Sequence, residues 1–270
     1  LKSQDRPEDA PIVVAGGPCA FNPEPMAMFI DAFMLGDGET VILEVCDLIR
    51  NLRAKGSTRE EILFQLSQIP GVYVPRFYQA SYHADGRLQS FVPTREGVPA
   101  TVTKRIELDL ENAPYPEKIP VPYTQVVHDR IVLEIMRGCT RGCRFCQAGM
   151  LYRPVRERSP EKLYALAEKL VESTGYEELS LSSLSSGDYP CLEEITKGLL
   201  ERFQQKRVSL SLPSMRLDSL VKQSLENTAQ VKKSGLTLAP EAGTQRLRDV
   251  INKGVTEEDL VRAVTDAFQS

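Results

Sequence analysis

The stretch Glu134-Ile-Met-Arg-Gly-Cys139-Thr-Arg-Gly-Cys143-Arg-Phe-Cys146-Gln147 closes an apolar run, Ile131 to Met136, and puts three thiols inside eight residues. The spacing is C-x3-C-x2-C. An apolar run of this length that ends at glycine and cysteine reads as a buried strand feeding a loop. Three closely spaced thiolates suit an iron–sulfur cluster, which is held by cysteine sulfur. A cubane cluster has four irons, so three local ligands leave one iron open. An open coordination position points to chemistry rather than to a structural staple, by the logic that separates catalytic from structural zinc sites.

The competing readings are a zinc site or buried thiols. Zinc asks for a fourth Cys or His near a second pair, and the nearest histidine, His128, precedes the strand. Disulfides are disfavoured because the chain shows no secretory signal and its cysteines are few for its length. Cys19, Cys46 and Cys191 stand apart and read as ordinary small apolar residues.

With Phe145 in the aromatic place of C-x3-C-x-aromatic-C, the motif resembles that of the radical S-adenosylmethionine (radical SAM) superfamily. The longer run Cys146-Gln-Ala-Gly-Met-Leu-Tyr-Arg-Pro-Val-Arg-Glu-Arg-Ser-Pro-Glu161 resembles a bacterial subgroup that joins a cobalamin-binding-like domain to the catalytic barrel. The resemblance implies a [4Fe-4S] cluster on Cys139, Cys143 and Cys146. Its unique iron would bind the amino and carboxylate groups of S-adenosylmethionine (SAM). One electron would then cleave SAM to methionine and a 5'-deoxyadenosyl radical, at the expense of a donor such as flavodoxin or ferredoxin. The substrate is not legible. Two other readings stay open: a methylthiotransferase-like RNA modification enzyme, and a non-catalytic iron–sulfur or metal-binding module.

At 270 residues the chain is long enough for more than one domain. Hydrophobic residues make up 41% and charged residues 26%, which places it among soluble globular chains. No apolar run approaches the length that spans a bilayer. A net charge of −4 argues against a general nucleic-acid surface. With an oxygen-sensitive type of cluster, this points to the cytoplasm. The absence of an initial Met, and a helical pattern running up to Ser270, suggest cuts through folded units.

The expected fold class is α/β: an incomplete parallel radical SAM barrel preceded by the end of a Rossmann-like domain and a β-rich linker. Residues 1–55 read as the end of a cobalamin-binding-like domain. Pro11-Ile-Val-Val-Ala-Gly-Gly-Pro18 and Ala32-Phe-Met-Leu-Gly-Asp-Gly-Glu39 each give a short apolar run and a glycine turn, and a helix follows from about Glu39 to Lys55. Cobalamin is the third cofactor the resemblance raises. The family's Asp-x-His-x-x-Gly motif is not in this chain, and Gly16 and Gly17 read in preference as turn glycines. Residues 56–125 read as a short helix and a β-rich, proline-rich linker, with a hairpin turning at Asp85-Gly86 and a further strand over Ala100 to Leu108.

Residues 126–270 read as four βα units of the family's six. The strand-like runs are Ile131–Met136, Glu178–Ser183, Val208–Leu212 and Leu236–Ala239, with helices between them. A helix begins at Ser159-Pro160, an N-cap followed by proline at the first helical position. Leucines alternate with Ser180, Ser182, Ser209 and Ser211, and Leu236 and Leu238 flank Thr237. The bulky set should face the outer helices, and the small polar set should face inward and leave room for a cofactor. A half-exposed antiparallel sheet would alternate in the same way.

Ligands of parallel sheets bind past the carboxyl ends of the strands. Ser185-Ser-Gly187-Asp188 resembles the family's Gly-Gly-Glu position, which contacts the SAM amino group. Asp188 is one methylene shorter than Glu, and it also reads as a turn residue beside Gly187. Arg216 resembles a basic residue that faces SAM, with a surface arginine as the alternative. Glu241 resembles an acidic or amide residue that meets the ribose hydroxyls. Lys253 resembles a basic residue for the SAM carboxylate, to which a charge-assisted bond fits. Six arginines, from Arg137 to Arg158, crowd the cysteine loop and its exit. Cations there would favour reduction of an anionic cluster, whereas a solvated basic face or salt bridges to Glu157 and Glu161 would be structural.

Overall fold

The computed structural model describes residues 1–124, 126–212, 215–217 and 238–269. The chain forms two compact units, Leu1–Leu108 and Asp109–Ser270.

In the first unit, β1 (Val14–Ala15) runs parallel to β2 (Ala32–Met34), and β3 (Val72–Tyr73) closes the sheet antiparallel to β2. The connection from β1 to β2 holds two 3-10 turns, Pro18–Phe21 and Glu24–Met26, in place of a crossover helix. Pro18, Pro23 and Pro25 remove backbone donors that an α-helix would need. Helix α1 (Val41–Ala54) forms where the sequence places it. Helix α2 (Arg59–Leu66) starts in a capping box: Thr58 Oγ accepts from the Glu61 N–H at 3.2 Å, and Glu61 accepts from the Thr58 N–H at 2.7 Å. Val41, Val45, Leu63, Leu66 and Val72 form the core of this unit.

The hairpin is β4 (Tyr78–Tyr82) against β5 (Leu88–Pro93), and Asp85 accepts from the Arg87 N–H in its turn. The strand expected over Ala100 to Leu108 reduces to one bridge between Arg105 and Gly36. A Cβ on Gly36 would stand 2.0 Å from the Arg105 carbonyl oxygen, and its φ is 112°. The two backbones meet only where a side chain is missing, so the pairing does not extend.

In the second unit, β6 (Ile131–Glu134), β9 (Glu178–Ser182) and β10 (Ser209–Ser211) form a parallel sheet in the order β10-β9-β6. Helix α4 (Pro160–Thr174) connects β6 to β9, and α5 (Leu192–Phe203) connects β9 to β10. Ser159 caps α4 by accepting from the Lys162 N–H at 3.2 Å, and Gly175 ends it in the left-handed region. The fourth expected strand, Leu236–Ala239, falls partly outside the described residues, as does the Leu236–Thr237 alternation.

The register sorts the side chains as the alternation implies. Ile131 pairs with Leu179 and Leu133 with Leu181, and Leu210 lies beside Leu179. These side chains are buried in one core with Leu163, Leu166 and Leu170 of α4 and Ile195, Leu199 and Phe203 of α5. Each such burial contributes about 1.5–3 kcal/mol. The opposite face carries Val132, Glu134, Ser180, Ser182 and Ser211. Val132 remains 47% exposed there, so no helix layer covers that position among the described residues.

The apolar run Ile131–Met136 serves two pairings. After Glu134 it leaves the parallel sheet, and β7 (Met136–Arg137) pairs antiparallel with β8 (Arg156–Glu157). The Arg158 N–H donates to the Ile135 carbonyl at 3.0 Å. This two-strand base closes the loop that holds the three cysteines.

Candidate active site

The cysteine loop leaves β7 through Gly138, whose φ is 94°. A Cβ there would lie 2.6 Å from both the Tyr152 and Pro154 carbonyl oxygens. Only glycine lets the outgoing chain pass so close to the returning one. The loop thus sits past the carboxyl end of β6, the edge where parallel sheets bind ligands. Cys139, Cys143 and Cys146 are free thiols and all three are half-buried.

Local donors already point at this sulfur. The Cys146 N–H donates to the Cys143 carbonyl at 3.1 Å and turns the loop back. The Gly149 N–H, in the short helix α3 (Ala148–Leu151), donates to Cys146 Sγ at 3.4 Å. An Arg216 guanidinium nitrogen stands 3.8 Å from Cys143 Sγ. Among the described residues no three Cys, His, Asp or Glu side chains stand close enough to share one metal ion.

The structure gathers the other singled-out residues around this loop. Asp188, in the 3-10 turn Ser186–Asp188 with Gly187, accepts from Arg141 Nε at 2.9 Å and again from its terminal nitrogen. Ser185 Oγ donates to Asp188 at 2.7 Å. The Arg141 hydrogen bonds hold the Asp188 carboxyl below its ordinary value, against the opposing effect of burial, and Ser185 adds to the lowering. Asp188 therefore fastens the cysteine loop to the turn after β9.

Lys253 is 9% exposed, and its Nζ lies 3.1 Å from Glu241 Oε1. The same Nζ lies 5.9 Å from the centre of the Phe145 ring. Arg216 donates to the Lys253 carbonyl at 2.6 Å. Glu241, Lys253, Phe145, Arg216 and Cys143 thus form one connected chain of contacts.

Sequence reasoning missed what fastens Lys253 to the loop. Helix α6 (Gln245–Val250) is followed by Ile251 and then by Asn252 at a φ of 53°. The Asn252 amide donates to the Gly142 carbonyl at 2.9 Å and to that of Arg141 at 3.4 Å. The Arg144 N–H donates to the Ile251 carbonyl at 2.9 Å, and its guanidinium to that of Val250. The available signal was an Asn just past a helix end, the position that favours the left-handed conformation.

The arginines of the loop also separate into distinct contacts. Arg137 forks onto Glu134 at 2.7 and 2.8 Å. Arg153 reaches the Cys139 carbonyl at 3.3 Å, and Arg156 reaches those of Pro154 and Tyr152. Arg158 is 1% exposed, donates to the Leu110 carbonyl and stands 3.9 Å from Glu134. Burial lowers its pKa, and Glu134 opposes that. Glu134 and Asp188 are two acids that meet this group. Cys19 and Cys46 are exposed rather than packed, while Cys191 is partly buried with its thiol pKa raised by desolvation.

Residues 133–270 match the radical SAM superfamily, and residues 1–75 match the N-terminal domain of radical SAM proteins. The chain belongs to the radical SAM superfamily. It is 31% identical over 256 residues to the uncharacterised protein MJ0966 of Methanocaldococcus jannaschii, a match that covers 94% of this chain and 48% of the relative. The chain thus spans about half the length of that relative.

Solved structures share the fold at low identity. The cobalamin-dependent SAM radical enzyme OxsB, with aqua-cobalamin and SAM bound, superposes with a TM-score of 0.61 at 16% identity, over 95% of this chain and 34% of its own. The radical SAM methyltransferase TsrM from Kitasatospora setae, with cobalamin and a [4Fe-4S] cluster, gives 0.59 at 17% identity, over 97% of this chain and 48% of its own. The superfamily's cofactors are a [4Fe-4S] cluster and SAM. The three thiols on one loop, with N–H donors directed at two of them, are the donor set such a cluster needs.

Proposed function

We propose that this protein is the core of a cytoplasmic radical SAM enzyme that cleaves SAM reductively and starts radical chemistry on a further substrate. The observation that carries the reading is the gathering of Asp188, Arg216, Glu241 and Lys253 around the Cys139–Cys146 loop. These residues come from four separate stretches of sequence. A bound cluster would supply the electron that splits SAM. The chain's own task is to hold and orient: Cys139, Cys143 and Cys146 ligate, and Lys253 offers a cation to a carboxylate. Glu241 offers acceptors to hydroxyls and at present holds the Lys253 ammonium. The serine-lined face of the parallel sheet would leave space for the adenosyl group. A small one-electron carrier such as flavodoxin or ferredoxin would serve as donor.

The finer architecture belongs to the same proposal. The second unit would be the first four βα units of a six-stranded partial barrel, and residues 1–55 the end of a cobalamin-binding-like domain. The likeness to OxsB and TsrM extends over both units, which supports this arrangement. Gly17 shapes the turn into Pro18–Phe21, and cobalamin binding itself would require residues beyond those turn glycines. The test is anaerobic reconstitution followed by the dithionite-reduced spectrum with and without SAM. A SAM-dependent shift is expected, and its loss together with bound iron in Cys143→Ala. A cluster whose spectrum ignores SAM would overturn the reading.

A further inference from the structure

Arg216 holds two elements of the site at once. One guanidinium nitrogen stands 3.8 Å from Cys143 Sγ, and the other donates to the Lys253 carbonyl at 2.6 Å. Its planar fork fixes both directions together. The Lys253 residue it holds is itself tied to Glu241 and lies against Phe145. The loop that carries Lys253 is joined to the cysteine loop by Asn252 and Arg144. The Arg216 cation is therefore held at one particular thiol.

We infer that Arg216 sets the reduction potential of the cluster by donating to the Cys143 thiolate, and that it positions Lys253 through its backbone. The inference rests on the function proposed above and assigns Arg216 to the sulfur rather than to SAM. A hydrogen bond to a cluster sulfur, and a positive charge beside it, stabilise the reduced and more negative state. Arg216 makes its contact with a cysteine sulfur directly, through a guanidinium nitrogen. Arg137 and Arg141 reach carboxylates, and Arg144 and Arg153 reach backbone carbonyls. Removing the donor should make the cluster harder to reduce, without SAM being present.

The experiment is a redox titration followed by electron paramagnetic resonance. It uses the reconstituted wild-type protein, Arg216→Gln and Arg216→Lys, all without SAM, with bound iron and sulfide measured in each. Arg216→Gln is expected to show a tenfold smaller reduced-to-oxidised ratio at fixed potential, equivalent to about 59 mV for one electron. Arg216→Lys, which keeps the charge and loses the fork, should shift less in the same direction. A cluster-containing Arg216→Gln that titrates with the wild type overturns the inference. If Arg216→Gln fails to retain iron, Arg216→Lys decides: a lowered midpoint supports the role and an unchanged one overturns it. A wild-type protein that assembles no cluster instead overturns the proposed function, and this inference with it.

Discussion

The Asp31 carboxylate accepts from Ser3 Oγ, from both the Arg6 and Arg59 guanidiniums and from the Val13 N–H, with none of its side chain exposed. Burial alone would raise its pKa, but the Ser3, Val13 and Arg59 hydrogen bonds together bring it below the ordinary 3.8. A carboxyl with a depressed folded value contributes stability that is complete above its unfolded value. That stability is lost as pH falls through the folded value. The first unit should therefore weaken below about pH 4. Asp31→Asn should cost about 3–5 kcal/mol at neutral pH, because it leaves the Arg59 charge buried and uncompensated. Urea denaturation from pH 7 down to pH 3 checks both points, and a variant as stable as the wild type at pH 7 would refute the network's role. No sequence pattern points to Asp31, because its partners lie 18 to 28 residues away and meet only on folding. The reading of the three cysteines rests on local chemistry instead: three thiols within one loop need no knowledge of the tertiary fold.

Elements were legible where a period or a cap marks them, and less so where two pairings share one run. Helix α4 carries its N-cap, its proline and its leucine stripe in sequence, and it forms as read. The break between β6 and β7 left no mark, because Ile131–Met136 is uniformly apolar apart from Glu134. The turn after α6 was equally silent about its target, the carbonyls of the cysteine loop. Asn252 combines a left-handed backbone with an amide that reaches those carbonyls, and two variants separate these roles. Asn252→Gly keeps the backbone and loses the hydrogen bond, at an expected cost of about 1 kcal/mol. Asn252→Ala loses both and should cost about 1–2 kcal/mol more. Denaturant midpoints give the two values, and equal values would mean the backbone conformation carries no strain. At the start of α4, Ser159 caps the helix and also donates to Glu111 at 2.7 Å. Ser159→Ala should cost about 1–2 kcal/mol by loss of the cap and of that bond, measured in the same way.

For the molecule as a whole, composition bounds the size of the cores, while chain order alone does not say which unit a connecting stretch joins. Within the linker read over 56–125, Pro114, Pro116, Pro120 and Pro122 mark an extended stretch in the sequence. The structure shows its first part fastened to the second unit. Leu110 and Ala113 are buried, and Leu110 accepts from Arg158. Glu111 accepts from both the N–H and the Oγ of Ser159. Tyr115 donates to the Val132 carbonyl, and Glu117 pairs with Lys169 at 2.5 Å while its carbonyl accepts from Ser173. The residues that follow are different: Tyr123 is fully exposed and Val127 is 92% exposed. Exposed connecting backbone with few contacts is where proteases cut. Brief chymotrypsin treatment should therefore cleave first after Tyr123, and mass spectrometry would locate the cut. The two pieces should nevertheless elute together in native gel filtration, because residues 109–119 remain bound to the second unit, and separate only in denaturant. Pieces that part under native conditions would show that this strap contributes little to holding the chain together. The burial of Leu110 and Ala113 would then be a consequence of packing rather than an anchor.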